Sequence, residues 1–65
     1  MINIRFKLSF IEGRLAHTTF LANQNPKFPE YTVVTWTEDN QIHKTTYDTV
    51  DVEAFFLDGS WVEII

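Results

Sequence analysis

The chain has 65 residues, a formal net charge of −4 and 45% hydrophobic residues, including six Phe, two Tyr and two Trp but no cysteine. The lack of cysteine excludes disulfides and thiolate zinc sites, and His17 and His43 are too far apart in sequence to form a ligand motif. A domain this small buries only about 60% of the surface its unfolded chain exposes, so close packing or self-association has to hold it.

The whole chain, residues 1–65, reads as one domain. No basic start leads into an apolar run, and no apolar stretch approaches the roughly 20 residues that span a bilayer. A soluble, cytoplasmic protein that makes no membrane contact is therefore expected. The charge is unevenly distributed. Residues 1–37 set Arg5, Lys7, Arg14 and Lys27 against Glu12 and Glu30, a balance of +2. Residues 38–65 set Lys44 against Glu38, Asp39, Asp48, Asp51, Glu53, Asp58 and Glu63, a balance of −6. Such asymmetry can mark a contact surface.

In chain order, Ile2, Ile4, Phe6, Leu8 and Phe10 alternate with polar residues, the period of a half-buried strand. Glu12-Gly13 supplies turn chemistry, so residues 14–21 are expected to return as a second strand with Leu15 opposite Phe10. A helix over 14–22 is the weaker alternative. Asn23 to Pro29 reads as a loop punctuated by Pro26 and Pro29. Tyr31 to Thr37 and Ile42 to Tyr47 are β-rich, and a tight turn at Asp39-Asn40 would set Trp36 beside His43 and Thr32 beside Tyr47. Thr49 or Asp51 can cap a short helix carrying Val52, Phe55 and Phe56 at i, i+3, i+4, which Gly59 ends. Trp61 to Ile65 returns to β character. The fold class is therefore α+β: a small antiparallel sheet of about five short strands, ββ-loop-ββαβ, with one short helix packed on it. Phe6, Leu8, Phe10, Val34, Trp36, Phe55 and Phe56 are the expected core.

Catalytic chemistry finds no foothold in these patterns. Ser9 and Ser60 lie in no nucleophile turn, and His17 and His43 are read as surface or sheet-edge residues. Asp48, Asp51 and Glu53 lack the glycine and bidentate glutamate of a calcium loop. Gly13 and Gly59 are the only glycines, too few for a phosphate-cradling loop. No enzyme, no metal and no cofactor are expected.

The tail Val52-Glu53-Ala54-Phe55-Phe56-Leu57-Asp58-Gly59-Ser60-Trp61-Val62-Glu63-Ile64 resembles the ends of small phage and prophage proteins of unassigned role, which finish with a short apolar helix, Gly-X-Trp and a terminal strand. The chain is also similar in size to phage proteins that bind and disable host enzymes or defence systems. The resemblance implies an inhibitor acting by contact and transfers no functional residue.

The expected function is a small, non-catalytic protein-binding module. Its acidic C-terminal surface, Glu38, Asp39, Asp48, Asp51, Glu53 and Asp58, would meet a basic protein partner through steering and charge-assisted hydrogen bonds. One alternative is a nucleic-acid-binding accessory protein using Arg5, Lys7 and Arg14, which net acidity opposes. Another is a structural or assembly subunit stable as an oligomer. A homodimer through an edge strand at Trp61–Ile65 would relieve the shortage of core.

Overall fold

The computed structural model describes residues 1–9, 13 and 15–65. Its elements run β1 (Asn3–Leu8), β2 (Phe20–Gln24), β3 (Tyr31–Glu38), β4 (Gln41–Asp48), α1 (Thr49–Leu57) and β5 (Trp61–Glu63). The strands form a single sheet in the order β4-β3-β2-β1-β5, antiparallel throughout, with α1 against one face. This is the expected α+β arrangement.

Alternation decides which face each strand buries. Ile4, Phe6 and Leu8 turn towards α1 and pair with Ala22, Phe20 and Trp61, while Asn3, Arg5 and Lys7 face away. Across the next ladder Ala22 pairs with Val34, and Val34 with Thr45. The β3–β4 turn is the predicted two-residue one. Asp39 and Asn40 take φ of 54° and 61°, the left-handed pair of a type I′ turn, and Trp36 falls opposite His43 and Thr32 opposite Tyr47.

The second strand differs from expectation. β2 starts at Phe20, Leu15 to His17 form a turn, and Asn23-Gln24 belong to the strand rather than to the loop. Pairing of Phe6 with Phe20 and Asn3 with Asn23 sets the register. Burial of Phe20 and Ala22 outweighs the local β propensity of the residues before them. Phe10, Glu12 and Arg14, and with them the proposed Phe10–Leu15 pairing, lie outside the described residues. The following bend forms around Asn25, whose side-chain oxygen accepts hydrogen bonds from the backbone N–H groups of Lys27 and Phe28.

The core is an aromatic lattice centred on Trp61. Its indole stacks on Phe6 with centroids 4.5 Å apart, lies 4.6 Å from Phe55, and meets Tyr47 and Phe56 edge-on. Phe6 also stacks on Phe20, which packs against Trp36. Trp61 and Tyr47 belong to the two outer strands, so their contact at 5.4 Å requires the sheet to coil strongly around the lattice. Of the expected core, Phe6 and Val34 are buried, and Leu8, Trp36, Phe55 and Phe56 are half-buried around them. Phe20, Ala22, Val52 and Trp61 complete the buried cluster.

Helix α1 begins without a break where β4 ends. Asp48 occupies the N-cap position, in place of the expected Thr49 or Asp51, yet its carboxylate makes no capping hydrogen bond. The Thr49 hydroxyl is committed to the Pro29 carbonyl at 2.7 Å. At the other end Asp58 is the C-cap and Gly59, at φ 84°, takes the left-handed position that stops the helix.

Candidate functional site

A helix held on a sheet needs only one apolar face, and α1 has two. Thr49, Val52, Phe55 and Phe56 point inward. Val50, Ala54 and Leu57, at i, i+4 and i+7, make a second stripe on the outer side, with Val50 70% and Leu57 89% exposed. Asp51 and Glu53 flank this stripe, and Asp58 closes its C-terminal end.

Beside Leu57 the stripe opens into a shallow hollow between the helix and the start of β1. Ile2, Ile4, Phe56 and Leu57 line it, with the carboxylates of Glu53 and Glu63 as its polar members. An apolar floor with acidic groups at its margin matches the chemistry of a lysine or arginine side chain: a methylene stem that packs and a cationic head that hydrogen-bonds carboxylate.

The six carboxylates expected to act together are divided by the fold. Asp51, Glu53 and Asp58 lie along α1 and its C-terminal end, while Asp48, at the N-cap, shares with Lys44 the sheet face turned away from the helix. Glu38 and Asp39 sit at the β3–β4 turn, a full strand length of roughly 20 Å from Asp48. Glu38 accepts a long hydrogen bond of 3.5 Å from the Trp36 indole. Asp58 serves the helix end. Its carboxylate accepts hydrogen bonds from the Ser60 hydroxyl and from the Ser60 backbone N–H at 2.8 Å, which hold it below the usual carboxylate range against a small opposing effect of desolvation. Sequence reasoning missed Glu63, Ile2, Ile4 and the outer stripe. The spacing of Val50, Ala54 and Leu57 was available as a signal, masked by the stronger pull of Phe55 and Phe56.

The opposite side of the sheet has the reverse charge. Arg5, Lys7 and Lys44 face away from α1 beside Leu21, Thr35 and Thr37, and a broad trough there is lined by Arg5, His17, four threonines, Leu21, Trp36 and Ile42. Arg14, the third cation expected to serve nucleic acid, lies outside the described residues. Phe6, Phe20 and Trp61 are committed to the aromatic core rather than offered to this face for base stacking.

His43 stacks on Trp36 with centroids 5.5 Å apart, and the Ser60 hydroxyl is bonded to Asp58, so each has a structural partner. Among the described residues no three His, Asp or Glu side chains converge as metal ligands, and no helix is long and apolar enough to cross a membrane. No family model matches the chain, and neither the curated proteins nor the solved structures contain a match to it.

Proposed function

We propose that the chain is a non-catalytic protein-binding module that docks the outer face of α1 into an apolar groove edged by lysine or arginine. The exposed stripe Val50-Ala54-Leu57 carries the reading, because it is an apolar row opposite the buried one that no described residue covers. The carboxylates choose the partner. Glu53 and Glu63 at the hollow, with Asp51 along the helix, favour a basic rim and disfavour an acidic one. A partner seated on this face would be blocked by contact, in line with the inhibitor role implied by the tail's resemblance to small phage proteins.

The test is a quantitative capture from cells in which the protein is made, using three baits: the wild-type chain, Leu57→Lys and Glu53→Lys/Glu63→Lys. Circular dichroism first confirms that each bait is folded. One protein enriched by the wild type and depleted at least tenfold by both variants is expected. Equal capture by all three baits, or capture that nuclease abolishes, would overturn the reading.

A further inference from the structure

The longer free edge of the sheet belongs to β4. The two-residue turn makes Glu38 and Gln41 a hydrogen-bonded pair, and alternation along the ladder then commits the backbone of His43, Thr45 and Tyr47 to β3. The backbone groups of Ile42, Lys44 and Thr46 consequently face outward. Lys44, Thr45 and Thr46 are exposed, and among the described residues neither α1 nor a loop covers this stretch. β5, at the opposite edge, is three residues long and offers outward only the backbone of Trp61 and Glu63, since Val62 and Ile64 turn theirs to β1.

Lys44 and Asp48 share the face turned away from α1, four residues apart, with Thr46 midway. Among the described residues neither has an ion-pair partner, and Asp48 leaves its own helix N-terminus uncapped by its side chain. We propose that two copies of the chain join β4 to β4 antiparallel about a twofold axis at Thr46, so that Lys44 of each copy lies opposite Asp48 of the other.

Charge complementarity selects both the occupant and the register. With the axis at Thr46, both cross-strand pairs are attractive and the axial pair is Thr–Thr, a favourable neighbour. The neighbouring registers that match outward-facing backbone within the strand include axes at His43, Lys44 and Thr45. They set His43 against His43, Lys44 against Lys44, or Lys44 against Thr46, and none gives Lys44 a carboxylate. A lysine in the middle of an edge strand ordinarily blocks pairing. Here Asp48 turns it into a selector for one register. Because the axis runs perpendicular to the sheet, both copies of α1 fall on the same side, and the dimer presents two outer helix faces in one direction. The pairing rests on β4 alone and stands or falls separately from the role of α1.

Sedimentation equilibrium of the full chain tests it. The wild-type mass is expected to rise from 7.7 kDa towards twice that value between micromolar and millimolar concentration. Lys44→Asp and Asp48→Lys, each verified as folded by circular dichroism, should weaken self-association by about tenfold or more, because each change enters the interface twice. Mixing the two variants in equal amounts should restore association, since a heterodimer regains both opposite-charge pairs; a folding defect gives no such rescue. Thr46→Pro, whose missing N–H would face outward, should abolish pairing and leave the β3–β4 ladder intact. A chain that remains at 7.7 kDa at millimolar concentration, or a dimer indifferent to both charge reversals, would overturn the proposal.

Discussion

The hydroxyl oxygens of Thr32 and Thr49 lie 2.8 Å apart in the interior, where they tie the middle of the sheet to the first residue of α1. Thr49 donates its hydrogen to the Pro29 carbonyl, so Thr32 is the donor in the pair. The two residues are therefore unequal. Thr49→Val strips a buried donor of its acceptor and should destabilise the fold by about 1–3 kcal/mol. Thr32→Val leaves Thr49 bonded to Pro29 and should cost less than about 1 kcal/mol. Urea denaturation of both variants measures the difference, and equal losses would contradict the assigned direction.

Phe6 is fully buried and touches Phe20, Phe56 and Trp61. Truncation to alanine should cost about 3–5 kcal/mol. The total stability of a chain this size is itself only about 3–10 kcal/mol. Phe6→Ala should thus remove about a third or more of that stability, seen as a lower melting temperature and a weaker near-ultraviolet circular dichroism of the aromatic lattice. A cooperative native-like melt would show that the lattice is not the main source of stability.

The type I′ turn offers a test with opposite signs at one position. Asn40 has φ 61°, tolerable for asparagine and strained for a β-branched residue. Asn40→Val should lower stability by roughly 1–2 kcal/mol, whereas Asn40→Gly should hold or slightly raise it. Thermal melts of the two variants should bracket the wild type.

Asp58 carries a pH dependence. Its folded-state pKa is depressed by the Ser60 hydroxyl and backbone N–H, so its contribution is fully present above the ordinary aspartate range and disappears as pH falls through the lower folded value. Ser60→Ala removes the larger of the two causes. The stability difference between wild type and this variant should be constant near neutrality and shrink in acid. A difference that grows on acidification would contradict the assignment.

Leu57 separates function from folding. At 89% exposure its replacement by serine should change stability by no more than about 0.5 kcal/mol while weakening partner capture. Substantial unfolding of Leu57→Ser would mean that the outer stripe packs against something within the chain.

Much of the architecture was legible because it is local. Alternation around Phe6 announces β1, Asp39-Asn40 can adopt the left-handed angles a tight turn demands, and Gly59 marks a helix stop, each from its own neighbours. The start of β2 was not legible: Thr18 and Thr19 favour strand as strongly as Phe20 does. Only the pairing of Phe20 with Phe6 and of Ala22 with Val34 fixes where the ladder begins. The candidate surface was half legible for a related reason. Sequence shows carboxylates gathering after residue 38, but proximity along the chain is not proximity in space.

What the sequence by itself determined was the order of elements, the acidic character of the C-terminal half and the supply of aromatic rings. Tertiary structure alone decided that Trp61 would reach Tyr47 across a coiled sheet, because alternation assigns residues to two faces without saying which one closes on a core. It likewise separated Glu38 and Asp39 from the helix carboxylates by the length of β4, and brought Glu63 to Glu53 across the hollow beside Leu57. The ladder register and the path of α1 set these distances, and both depend on contacts between residues far apart in the chain.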